Sequence, residues 1–172
     1  MDTNCLPVIA IFRDTMIGNV IEPGDVLIMM ARLLQGKGEE ALEAFRTIDL
    51  EAIRLTGIAM AEHTLRHAKE SQQALDELIA KHAPEAAYQI AQALAWRGEK
   101  DRAFEWLERA YKQRDGGLSE IKIAPILRSL YADPRFNALL RKVKLPELPV
   151  GQVSRAADGS RTPERQPGDN AK

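Results

Sequence analysis

The sequence predicts an all-α fold, an antiparallel helix-hairpin solenoid with a C-terminal capping helix, and three observations predict it. Between Asp25 and Arg114 the chain is rich in Ala, Leu, Glu, Gln, Arg and Lys and poor in β-branched residues. That composition loses little rotamer freedom in a helix. Apolar residues there recur at helical spacing, with Leu55, Ile58 and Ala59 in one segment and Ala87, Ile90, Ala91 and Leu94 in another, so each set shares a helix face. An offset of 32 residues maps the first segment onto the second and carries Ser71, Leu75 and Leu78 onto Ala103, Leu107 and Ala110. Self-similarity at such a period predicts stacked repeats.

The elements follow in order. Residues 1–21, interrupted by Pro7 and Gly18, read as a poorly defined N-terminal arm, and residues 22–117 as about three helical hairpins. Ala41, Phe45 and Ile48 repeat the four-then-three spacing of the later hairpins. Gly36-Lys37-Gly38, His67-Ala68 and Gly98-Glu99 supply the turns within hairpins, and Asp115-Gly116-Gly117 stops the last helix. Pro84 is expected to start a helix, where its missing N–H costs nothing. The small residues Ala59, Ala91, Ala103 and Ala110 allow neighbouring helices to approach closely. A solenoid needs a polar-backed end, and residues 118–147 supply the cap. There Pro125–Leu130 forms a short turn, and Asp133-Pro134 gives an N-cap and a first-turn proline before the stripe Phe136, Leu139, Leu140 and Val143. Residues 148–172, dominated by Pro, Gly, Ser, Arg, Asp and Gln, lack apolar periodicity and are expected to be disordered.

A chain of 172 residues with 45% hydrophobic content can bury a core without a metal or disulfide staple. Its charges nearly cancel to a formal −1, so no global field favours nucleic acid or an anionic membrane. The single cysteine, Cys5, has no internal partner, which suits the cytoplasm. The apolar run Leu6–Phe12 is too short to span a bilayer and follows Asp2 rather than a basic stretch.

Few residues suggest chemistry. Glu62, His63 and His67 resemble a metal arrangement, but the spacing is not H-E-x-x-H, and His67 falls in a turn while His82 ends the next helix. No base or oxyanion site accompanies Cys5. Ser71 reads as a small packing residue, and Gly36-Lys37-Gly38 lacks the spacing of a phosphate loop. The cations Arg135, Arg141, Lys142 and Lys144 suit the end of a terminal helix better than a phosphate backbone. The expectation is a non-catalytic protein without metal or cofactor.

The stretch Pro84 to Arg114, PEAAYQIAQALAWRGEKDRAFEWLERAYKQR, resembles a tetratricopeptide repeat (TPR), with Ala91, Gly98, Ala103, Leu107 and Ala110 at its signature positions. Ala52 to Ala83 matches less fully, with Arg66 replacing the turn glycine and Glu62 at an ordinarily apolar position; residues 22–49 match in part, with Met29 at a usually small site. The run DPRFNALL after FEWLERAY is similar to C-terminal TPR segments of some bacterial multidomain regulators. The resemblance implies a right-handed superhelix whose first helices line a concave groove, made by Ile53, Thr56, Met60 and His63 beside Glu85, Tyr88 and Gln92. The groove lacks the Lys and Asn pattern that clamps a C-terminal carboxylate. The expected activity is capture of a protein or peptide there, with Tyr88 and Met60 as anchors. The alternative is self-assembly, or docking within a larger bacterial regulator, through the apolar residues 26–34, Val26, Leu27, Ile28, Met29, Met30, Leu33 and Leu34.

Overall fold

In the computed structural model, which describes residues 23–148, the chain is all-helical, and no strand occurs among the described residues. The expectations for residues 1–21, for the tail beyond Leu148 and for Cys5 lie outside that range. Six α-helices come first: α1 Pro23–Leu34, α2 Gly38–Arg46, α3 Glu51–Thr64, α4 Ala68–His82, α5 Ala87–Trp96 and α6 Lys100–Gln113. Two short 3-10 helices, η1 Gly116–Glu120 and η2 Pro125–Leu130, then lead to α7 Pro134–Lys142.

The turns share one hydrogen-bond pattern. After α1, α3 and α5 a single residue takes the left-handed conformation: Gly36 (φ 74°), Arg66 (φ 65°) and Gly98 (φ 81°). The next N–H then donates back across the helix end, Lys37 to the Arg32 carbonyl, His67 to Glu62 and Glu99 to Leu94, each at 2.9 Å. This is the Schellman closure, which satisfies a carbonyl that the helix leaves without a partner. Arg114 and Lys144 do the same after α6 and α7, where Asp115 N–H donates to Ala110 and Leu145 N–H to Leu140, again at 2.9 Å. Arg66 thus holds the conformation that glycine holds in the other two hairpins, against the steric preference of an L-residue.

Pro84 does not start a helix. It lies in the turn after α4, and α5 begins at Ala87. The reason is long-range: the Tyr88 N–H, in the first turn of α5, donates to Asp115 Oδ2 at 3.0 Å, so a residue beyond α6 caps the helix.

The core is continuous from α1 to α7. Within it α3 packs against α4 and α5 against α6, while α3 also packs against α2 and α5. Ala59, Ala91, Ala103 and Ala110 are fully buried, as close approach requires. Ser71 is buried too, but it does more than pack: its hydroxyl donates to the Ala59 carbonyl at 2.7 Å and accepts from Arg97 Nη1 at 3.1 Å. Phe136, Leu139 and Leu140 are buried and Val143 is half-buried. Asp133 caps α7 through the Arg135 N–H at 2.9 Å, and the Arg135 guanidinium beside it holds its carboxyl below the usual range. Arg135 also lies over the Phe104 ring and pairs with Asp101, fixing α7 to α6.

A candidate binding hollow

Helical spacing places Ile53 and Thr56 on one side of α3, and Tyr88 and Gln92, one turn apart, on one side of α5. The packing of α3 against α5 brings the two pairs together. They line a hollow of about 300 Å³, completed by Val26 and Met30 from α1, Gln89 from α5, and Gly116, Gly117 and Glu120 from η1. Asp115 holds η1 over this space, because one carboxylate oxygen takes the Tyr88 N–H and the other takes the Gly117 N–H at 2.9 Å. Gly117 lies against the Tyr88 ring, where any Cβ would overlap the aromatic carbons.

Tyr88 is almost wholly buried, at 3% exposure, yet its hydroxyl has no hydrogen-bond partner within bonding geometry. Burial pushes the phenol well above the ordinary tyrosine range; Glu120, Tyr131 and Asp115 push the same way, and the Gln92 side chain, near enough to interact with the phenol as a hydrogen-bond neighbour though outside good geometry, opposes them. The hydroxyl is therefore neutral at physiological pH. The Gln89 side-chain oxygen is also buried without a partner. Thr56, by contrast, is satisfied, its hydroxyl donating to the Ala52 carbonyl at 2.7 Å.

The other three expected groove residues lie elsewhere. Met60 has no exposed surface and belongs to the core, so it cannot anchor a ligand. A double substitution of Met60 and Tyr88 by Ala would remove two buried side chains rather than leave the fold intact. His63 is exposed and lines a second, open depression with Thr64, Arg66, Ala68 and Trp96. Partial burial lowers its pKa, with Arg97 adding to the effect. Glu85 is exposed in the turn before α5, its Oε1 2.8 Å from His82 Nδ1. Nothing in the sequence marked Gln89, Gly117 or Glu120 as lining; the Asp115 tie and the burial of Leu118 and Ile121 hold η1 in this place.

The histidine arrangement resolves into contacts with carboxylates. Glu62 is buried, with His67 Nδ1 at 2.8 Å and Arg46 at 3.7 Å. Among the described residues no group of three or more His, Cys, Asp or Glu side chains is placed to hold a metal ion. Three of the four terminal cations are paired, Arg135 with Asp133 and Asp101, Arg141 with Glu147 and Lys142 with Glu108. Leu27, Ile28 and Leu34 on α1 are exposed, and no described helix is long and apolar enough to cross a membrane. No family model, curated protein or solved structure matches the chain.

Proposed function

We propose that the chain is a non-catalytic, TPR-like solenoid module of the cytoplasm that captures a segment of another polypeptide in the hollow between α1, α3, α5 and η1. The observation that carries the reading is the hollow itself, about 300 Å³ with apolar Val26, Met30 and Ile53 beside polar Gln92 and Glu120. The solenoid reading is supported by the 32-residue offset, along which Arg66 and Gly98 share a left-handed turn and Ser71 and Ala103 share full burial.

Selection from a displayed library of random peptides tests this. Clones held by the wild type are expected to be lost on Gln92→Trp, which fills the hollow from its half-buried wall, and kept on Arg109→Ala, which alters an exposed residue of α6. Retention of the selected clones by Gln92→Trp would move the binding surface elsewhere. The second reading, assembly or docking through residues 26–34 within a larger bacterial regulator, is favoured by Leu27 and Ile28, which are 67% and 55% exposed. It predicts a mass by light scattering that rises with concentration and returns to the monomer value on Leu27→Lys.

A further inference from the structure

We infer that the hollow between α1, α3, α5 and η1 takes an aliphatic cation, in a polypeptide the side chain of a lysine, with its stem on the apolar wall and its ammonium at Glu120. The inference rests on the proposed binding role of this hollow and names the chemistry that it selects. Val26, Met30 and Ile53, from α1 and α3, are half-buried and form the apolar wall. Their remaining surface is open to a hydrocarbon chain, which is stabilised by leaving water. Glu120 on η1 is the charged residue of the lining and is itself exposed, so its carboxylate is within reach of a solute. It takes part in none of the ion pairs among the described residues. Nor does any cation belong to the lining.

The field in the hollow has the same sign. The nearby Asp115 carboxylate accepts the Tyr88 and Gly117 N–H groups, which partly offsets its charge. Glu120 has no such compensation. After burial itself, both carboxylates help to hold the Tyr88 phenol above its ordinary range, as a negative potential would. A cation entering the hollow therefore meets an attraction that nothing in the lining has already satisfied, and an anion meets repulsion. A neutral apolar group gains the wall alone. Size sets the limit: about 300 Å³ lies at the lower end of ligand pockets, roughly 300–1,000 Å³, which suits one short chain with its charged end rather than a folded segment. Lysine matches such a place, since its stem covers apolar surface while the ammonium stays in contact with water. A lysine within a bound segment and a free alkylamine offer the same chemistry.

Three probes with four-carbon stems test the selection: n-butylammonium, 1-butanol and pentanoate, titrated into the full chain while the amide resonances of Gln92, Gly117 and Glu120 are followed by NMR. Butylammonium is expected to bind about threefold more tightly than 1-butanol and about tenfold more tightly than pentanoate, the scale of one exposed ion pair and of its like-charge counterpart. Glu120→Gln should remove that order, and raising the salt from about 0.02 to about 0.5 M should remove it from the wild type. Glu105→Gln takes the same charge from an exposed position on α6 and should leave the order intact. Equal binding of the three probes by the wild type, or a preference that survives Glu120→Gln or vanishes equally in Glu105→Gln, would overturn cation selection while leaving the hollow as a binding site. Absence of shifts with every probe would remove the hollow itself, and the proposed function with it. N-acetyl-lysine N-methylamide separates the two sources. Binding tighter than butylammonium assigns the hollow to a lysine within a chain; binding no tighter assigns it to a free alkylamine and sinks the polypeptide reading.

Discussion

The hairpins α3–α4 and α5–α6 repeat one backbone design at a 32-residue offset and differ in which polar groups they bury. In α3–α4 the polar groups cluster at the turn. Glu62 is buried against His67 and Arg46, and Ser71 joins the Ala59 carbonyl to Arg97. The matching positions of α5–α6, Leu94 and Ala103, are apolar and fully buried. There the unpaired polar atoms lie at the start, on Tyr88 and Gln89, where the equivalents in α3 are the satisfied Thr56 and Gly57. Met60, sealed in the core, corresponds to Gln92 on the wall of the hollow. One backbone unit thus serves packing in one copy and a hollow in the next, according to what lies across from it.

The two hairpins should differ most in their tolerance of substitution at that pair. Met60→Ala should cost about 2–5 kcal/mol, as for a fully buried methionine, whereas Gln92→Ala should stay within about 0.5 kcal/mol. Urea melts of the two variants decide it, and similar losses would show that the two positions are equivalent after all. Next is Ala103→Leu, which forces bulk into a fully buried site on α6 and should cost about 1–3 kcal/mol. A neutral result would mean that α5 and α6 have room between them that their buried alanines do not suggest.

At the turns the two hairpins should differ by a gain rather than a loss. Arg66 holds a φ of 65° where Gly98 holds 81°, so Arg66→Gly should stabilise the second hairpin by up to about 1 kcal/mol. Unchanged or lower stability in thermal melts would show that the arginine side chain compensates for its backbone.

The smallest effect concerns pH. His82 at the end of α4 has Arg114 as its 32-residue counterpart after α6. Its pKa is raised above 6.5, first by the hydrogen bond to Glu85 and then by that to Glu51, which also meets Lys81. A raised value contributes stability that is full below the unfolded pKa and is lost as pH rises through the folded one. His82→Gln should therefore narrow its deficit relative to the wild type as pH rises from 6 through neutrality, by less than about 1 kcal/mol. His63, whose pKa burial lowers, has the opposite sign and is present in both proteins, so the difference between their melting curves isolates His82. A deficit that widens with pH would reverse the assignment.

The helices, most of their turns and the small residues between them were legible from the order of residues alone. Those features are local: residues three and four apart share a face, and a glycine or a stop signal acts within one turn of chain. The cap was legible for the same reason, since Asp133, Pro134 and the stripe from Phe136 are contiguous. Packing between distant segments set the depth of each residue on a face that local periodicity could only orient. Met60 and Gln92 occupy matching positions, yet one is sealed by neighbouring helices and the other opens on a hollow roofed by η1. The start of α5 moved past Pro84 because Asp115, 27 residues beyond Tyr88, supplies its cap. Burial depends on what packs across from a side chain, and those partners come from α1, α3 and η1, segments that no local period links.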